Sequence, residues 1–578
     1  MSDIADIVIK NAEIYSVDLK NELSVNQAIA VKGSLLAYVG DNSGVESYID
    51  KNTAVYDLKG GTILPGLCDT HLHASMTVEM VSDIQLYDIM PDGEFDRDKL
   101  IQKYKDAIRA QIDGRNDIKV VRCVGWNPTF FAADPLGQPT ADDLAGVCDD
   151  IPLIMRSYCH HFLWVNRKAL DDSGINKDTE TPKEGIICRD ADGNPTGVFQ
   201  ETTAEDLLIE SLPYGDYSVS EYKEGIRLYQ QQFGNNYGTV LVFDALISKN
   251  ALCAYQEMAK DDELTMRVRT CFLADPSKPF SQFDDIVAQK EKYKVGDVFD
   301  VRTVKFFIDG SALAFYMEEP FEAEYLAKIG LPRDFRGTSQ WSLAELCEAF
   351  LKLDSAGFQI HIHCMGDAAT ALSLDAFEYV SRKNDIQKNR HVITHLMQVS
   401  ENDLKRMKEM GIIASIQPIW GLYDSSSEAI LREMFGDERA DNQYPYGTII
   451  KEGIISAAGT DFPVTLPPDP FCGIHVGMTR RFPKGHPEYE IYKDKPMGPS
   501  SDVMKNAAGL EDMVSIYTIW GAYQLFLEDS TGSLEVGKSA DFVVLDKTLS
   551  KLTPDEIANT KPVKTYFKGK EVYSVDKK

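Results

Sequence analysis

The sequence predicts a (β/α)8 barrel of the TIM type, carrying a small β-sandwich built from both chain ends and an insertion between its first two strands. Three observations lead there. Eight apolar runs that end in polar residues alternate with helical patterns, both ends read as short strands, and a stretch far longer than one helix separates the first two runs.

Taken in order, residues 6–15 show Lys10-Asn11 as a turn between two apolar runs, and residues 28–39 have Lys32-Gly33 in the same place. Residues 541–546 and 565–573 repeat the pattern, with Lys568-Gly569 as the turn. A few hairpins alone cannot bury a core, so residues 1–63 and 530–578 are expected to pair into one small β-domain. The barrel is expected over 64–529. Its strands are read at 63–73, 239–245, 267–273, 302–309, 359–364, 391–396, 412–417 and 455–461.

Several helices between them carry start and stop signals. Ser218 with Glu221 fits a capping box, after which Tyr222, Ile226, Tyr229 and Phe233 share a face. Ser342 with Glu345 starts another that stops at Gly357, and Ser400 begins a third that stops at Gly411. Alternation implies a parallel sheet, and eight repeats imply closure. The rival is a doubly wound open sheet, which lacks its GxGxxG after the first strand. Residues 74–238 break the rhythm. They include strand-like 119–124 and 151–157 and a Gly/Asp-rich turn at 190–197, which predicts a subdomain over 75–213 above the barrel mouth.

Composition narrows the function. The 578 residues are 43% hydrophobic and 10% aromatic, enough for a sizeable core. A net charge of −30 repels phosphate backbones, so nucleic acid is not an expected partner. No basic, apolar leader opens the sequence, and no run of 18 apolar residues occurs, so neither secretion nor a membrane span is expected. The 10 cysteines are scattered without a CxxC pair, which argues against a thiolate zinc site and a disulfide framework and points to the cytoplasm.

The strongest chemical signal is His71-Leu72-His73 at the end of the first strand. Residues i and i+2 of a strand share a face, so two imidazoles are presented together at the edge where barrel enzymes keep their sites. Two surface histidines would look the same in isolation. The rest of the chain weighs against that: His363 ends the fifth strand, His395 the sixth and Asp461 the eighth, while Lys305 lies inside an apolar run on the fourth. Satisfied core histidines, and a buried lysine paired with Asp309, are the bland alternatives.

The set resembles the amidohydrolase superfamily, and within it the branch of large YtcJ-like, amidohydrolase-3-type proteins such as N-substituted formamide deformylases. The likeness is carried by Leu64-Pro65-Gly66-Leu67-Cys68-Asp69-Thr70-His71-Leu72-His73, Lys305-Phe306-Phe307-Ile308-Asp309-Gly310-Ser311, His363-Cys364-Met365-Gly366-Asp367-Ala368, Thr394-His395, Thr460-Asp461-Phe462-Pro463-Val464 and the stretch from Gly532 to Asp541. Gly125-Trp126 and Trp164-Val165-Asn166 with Ala169-Leu170 point to the branch. It implies that His71, His73 and Asp461 hold one zinc, that His363 and His395 hold a second, and that Lys305, carboxylated by CO2, bridges them. Glu201 is the alternative anionic ligand. One or two zinc ions per chain are therefore expected.

The implied reaction is hydrolysis of a non-peptide C–N bond, in an amide, formamide or cyclic amide. A metal-activated hydroxide attacks, and Asp461 is the general base that later passes the proton to the leaving amine. His161, three residues before Trp164, would donate to the developing oxyanion, with the adjacent His160 as the alternative. Trp126, Phe130, Phe131, Tyr316, Trp420 and Phe471 are candidates for an aromatic pocket. The family's polar stretch after Asp309-Gly310-Ser311 reads Ala312-Leu313-Ala314-Phe315 here, so its usual substrate does not carry over. Two other functions stand beside this one. A zinc deaminase would keep a Glu three residues after His363, where Gly366 stands, and a non-catalytic metal-binding barrel would have no need of the intact His and Asp set. The expected partner is a small-molecule amide-type substrate, with a second copy in a homodimer compatible with the sequence.

Overall fold

The computed structural model describes residues 4–577 except 94, 116–117, 132–133, 135, 183–184, 311–313 and 426. Eight parallel strands run in sequence order: β1 (Leu67–Leu72), β2 (Thr239–Asp244), β3 (Arg267–Leu273), β4 (Phe299–Phe307), β5 (Gln359–Cys364), β6 (Val392–His395), β7 (Ile413–Ile416) and β8 (Ser456–Ala458). Hydrogen bonds bridge the first and last strands near their ends. Asp461 N–H donates to His71 O at 2.7 Å and His73 N–H to Phe462 O at 2.7 Å, and the Thr70 hydroxyl donates to Ala458 O at 3.0 Å. All eight expected barrel strands are present.

The period of two along β4 and β5 sorts their side chains. Val304, Phe306, Ile360 and Ile362 pack outward into the helical shell, against Leu346 and Phe350 of the helix Leu343–Ser355. Lys305, Phe307 and His363 point the other way, into the barrel mouth. The helix starts read from the sequence are present. Ser218–Glu221 and Ser342–Glu345 form capping boxes, and Ser400 caps Glu401–Met410, which ends on Gly411 in the left-handed region.

Two sheets form the small domain. One has four strands in the order Leu35–Gly40, Ala28–Lys32, Ile7–Lys10, Ala54–Asp57. The other has six, in the order Lys570–Ser574, Lys564–Phe567, Phe542–Val544, Thr62–Pro65, Glu13–Val17, Leu23–Asn26. Two details differ from the sequence reading. Residues 6–15 are not a hairpin, because Ile7–Lys10 and Glu13–Val17 enter different sheets. The apolar run 63–73 is not one strand either. It breaks at Gly66 between Thr62–Pro65 in the small domain and β1 in the barrel. A Cβ on Gly66 would lie 2.3 Å from Val240 Cγ2, so only glycine lets the chain pass there.

The insertion between β1 and β2 holds a fourth sheet, with strands Ile186–Arg189, Pro195–Gln200, Phe162–Val165, Leu153–Ser157, Val121–Trp126 and Ile84–Gln85 in that order. It has its own core, in which Tyr104 of the helix Arg97–Ile112 packs with Trp126 and Trp164.

Candidate active site

The C-terminal ends of the barrel strands and the inner edge of the insertion enclose a cavity of about 920 Å3. His71 and His73 enter from β1, Lys305 from β4, His363 from β5, His395 from β6 and Asp461 just past β8. Asp461 Oδ1 lies 2.9 Å from His73 Nε2 and 3.5 Å from His71 Nε2. The His363 and His395 rings are 4.5 Å apart, and His395 is 4.9 Å from His71. Donor atoms of His71, His395 and Asp461 fall within 4.8 Å of one another. The six residues singled out by their strand-end positions thus line one cavity.

Support from below sets their orientation. The Asp69 carboxylate accepts the Thr460 N–H at 3.0 Å and the Thr460 hydroxyl at 2.5 Å, tying the end of β1 to the segment that bears Asp461. Asp461 itself sits at φ +57, a costly conformation for a non-glycine residue. Trp420 stacks on His395 at 5.4 Å and 12°. Burial keeps His71 and His363 far below the usual imidazole range and pushes His395 down to about 4, so these rings are neutral.

The donor set fits a divalent metal. His395 Nδ1 is 2.9 Å from Gln417 Oε1, which can only accept, so the ring proton sits on Nδ1 and the Nε2 lone pair is left for the cavity. His71 Nδ1 is 2.8 Å from His361 Nε2, which holds the ring with its Nε2 edge toward Asp461 and Lys305. His363 Nε2 is buried without a hydrogen-bond partner among the described residues, an arrangement that costs free energy in isolation. His361 was missed in the sequence although His361-Ile362-His363 repeats the spacing of His71-Leu72-His73. It lies one layer deeper, stacked between His71 and Phe243.

Lys305 is fully buried, with Nζ 3.5 Å from His71 Nε2 and 4.9 Å above the Phe307 ring. Burial pushes its ammonium down to about 8, opposed by the charge of Asp461. Asp309 is not its partner. That carboxylate accepts the backbone N–H groups of Met365, Gly366 and Tyr316 at 3.0, 2.8 and 3.1 Å, pinning the end of β4 to the end of β5.

The insertion supplies the roof. His160 and His161 both line the cavity, as does Glu201. His161 Nδ1 is 2.8 Å from Glu201 Oε2, and His160 Nδ1 is 3.6 Å from Glu79 Oε2. The aromatic pocket differs from the sequence reading. Of the six aromatics named there only Trp420 lines the cavity; Trp126 and Phe131 are in the insertion core and Phe471 in the barrel core. Phe307, Phe315, Tyr87 and Tyr158 take their place. Of the apolar stretch after Gly310, Ala312 and Leu313 lie outside the described residues, as does Ser311.

The sequence profile of the amidohydrolase family matches residues 54–573, which spans the insertion, the whole barrel and the later strands of the small domain. The chain belongs to the amidohydrolase family. This amidohydrolase is 26% identical to Protein LONG AFTER FAR-RED 3 of Arabidopsis thaliana, over 99% of this chain and 92% of the relative. It is 23% identical to the N-substituted formamide deformylase of Arthrobacter pascens, over 98% of both. Among solved structures it resembles a metal-dependent hydrolase of Pyrococcus furiosus with a TM-score of 0.68 and 20% identity, over 95% of this chain and 99% of that one. The amidohydrolase fold and family, and with them a hydrolase, are thereby established.

Proposed function

We propose that this amidohydrolase is a metal-dependent hydrolase of a non-peptide C–N bond, in an amide, formamide or cyclic amide with an apolar substituent. The observation that carries the reading is the convergence of four histidines, Lys305 and Asp461 on one cavity. His71, His73 and Asp461 would hold one ion and His363 and His395 a second, with Lys305 as a carbamate between them. Zinc, one or two ions per chain, suits these nitrogen and oxygen donors, and when bound it acts as a Lewis acid and lowers the pKa of a water to about 7.

The chain's own groups do the rest. Asp461 accepts the proton of the attacking water and passes it to the leaving nitrogen. His161 donates to the acyl oxygen as charge develops there. Leu246, Leu273, Phe307, Phe315 and Trp420 form an apolar wall for the substituent. Val464 and Leu466 extend that wall to the rim, where they are 66% and 56% exposed. A deaminase-type Glu has no room at position 366, since a Cβ there would lie 1.9 Å from Tyr316 O. All 10 cysteines are free, as in the reducing cytoplasm, and no helix among the described residues is long and apolar enough to cross a membrane. No nucleic acid is a partner on this reading, and a homodimer remains compatible with it.

The test is metal content by elemental analysis, followed by a screen of N-acyl and N-formyl amines of rising apolar size, with and without chelator. Zinc near one to two ions per chain and chelator-sensitive amine release are expected. Only magnesium or calcium, or ammonia release from ring amines with every amide inert, would overturn the proposal.

A further inference from the structure

The roof of the cavity contains a pairing of which the reading above uses one member, His161. Strands Phe162–Val165 and Pro195–Gln200 run antiparallel with Phe162 opposite Gln200. The next pair outward is His161 and Glu201, and the Glu201 N–H donates to His161 O at 3.0 Å. Both side chains then meet on the cavity side, Nδ1 to Oε2 at 2.8 Å. Glu201 holds φ 65 and ψ 153, a region that only glycine occupies cheaply. Such strain at a residue whose carboxylate lines the cavity points to a position occupied for its side chain.

We propose that Glu201 is a positioning residue. Its carboxylate accepts the hydrogen bond from the Nδ1–H of His161, fixes the ring, and directs Nε2–H at the substrate's acyl oxygen as a charged donor. This rests on the hydrolase reading above. It assigns to Glu201 a role other than metal ligand, and it separates the two adjacent histidines. His160 faces Glu79, whose carboxylate is already held by Arg156 at 3.3 Å. Burial and the Arg156 charge push His160 down to about 3, so it is neutral. His161 is raised, first by the hydrogen bond to Glu201 and against its own burial, with Glu205 adding in the same direction. Glu205 in turn is paired to Arg156. His363, on the opposite wall, is neutral. Among these neighbours Glu201 is the carboxylate in direct contact with His161.

The experiment compares wild type, Glu201→Gln, His161→Gln and the double variant as purified holoenzymes. Glu201→Gln keeps an oxygen acceptor for Nδ1 and removes the charge. It should lower kcat about 10- to 100-fold with little change in KM, and move the alkaline limb of kcat to lower pH, since the active form is protonated. In the His161→Gln background it should add nothing. Independently of activity, carbethoxylation of the His161 peptide, read by mass spectrometry against pH, should show a lower midpoint in Glu201→Gln. An unchanged midpoint overturns the proposal, as does loss of bound zinc in Glu201→Gln, which would make Glu201 a ligand. If no amide substrate exists but the midpoint still falls, the pairing stands and the hydrolase reading fails.

Discussion

Lys305 carries its amine into a wall of apolar side chains and three neutral imidazoles, an environment that favours the uncharged form. A neutral amine can add CO2 and release a proton, which turns a cation that would repel metal into an anionic oxygen ligand. Lys305→Ala should therefore lose the second ion and nearly all activity, and acetate should restore part of both. Intact-mass and elemental analysis would check this, and an unmodified lysine in metal-loaded, active enzyme would refute it. Asp461 presents a different case. Buried yet held below the usual carboxylate range by the hydrogen bond from His73, it is ionised and ready to accept a proton. Asp461→Asn should keep the fold and most of the metal and lower kcat by about 10²–10⁴. Activity within about tenfold of wild type would remove Asp461 from the base role.

At the level of elements, the seam between β1 and β8 sets the site. A Cβ on Gly459 would lie 2.7 Å from His71 Cβ and 2.8 Å from both His71 N and O, none of which can move independently of the barrel. Gly459→Ala should cost about 1–3 kcal/mol and lower metal uptake, read from the urea midpoint and from elemental analysis. The seam also shows what a sequence conveys. The eight strands were legible because each is an apolar run ending in polar residues, and the site residues were legible because they sit at those ends. The break at Gly66 was not, since residues 63–67 are equally apolar in both sheets and only the passage of Val240 decides where one strand stops. The aromatic pocket was not legible for a related reason. Trp126 and Phe131 lie close to cavity residues in the chain but pack into the core of the insertion. The pairing of His161 with Glu201 depends on a strand register that no local pattern encodes.

Across the whole molecule, the small domain is fastened to the barrel by a buried ion pair. Arg267, at the start of β3, bonds to Asp541, which also accepts the Thr531 hydroxyl at 2.8 Å, the Ser539 hydroxyl at 2.9 Å and the Lys568 N–H at 2.7 Å. The tail motif ending in Asp541 therefore serves assembly, at a distance from the chemistry. Asp541→Ala would leave the buried Arg267 guanidinium with Asp297, at the rim, as its one ion-pair partner among the described residues, and should destabilise the protein by about 3–5 kcal/mol in chemical denaturation. The same interweaving has a temporal side. Leu64 pairs with Val543, and the β1 seam awaits residues near 460. At about 5–20 residues per second of synthesis, Leu64 emerges on the order of half a minute to a minute and a half before its neighbour exists. Throughout that interval the nascent chain displays an apolar strand edge, so a growing ribosomal product of this amidohydrolase is a natural client for chaperones, and the strand made early is completed late.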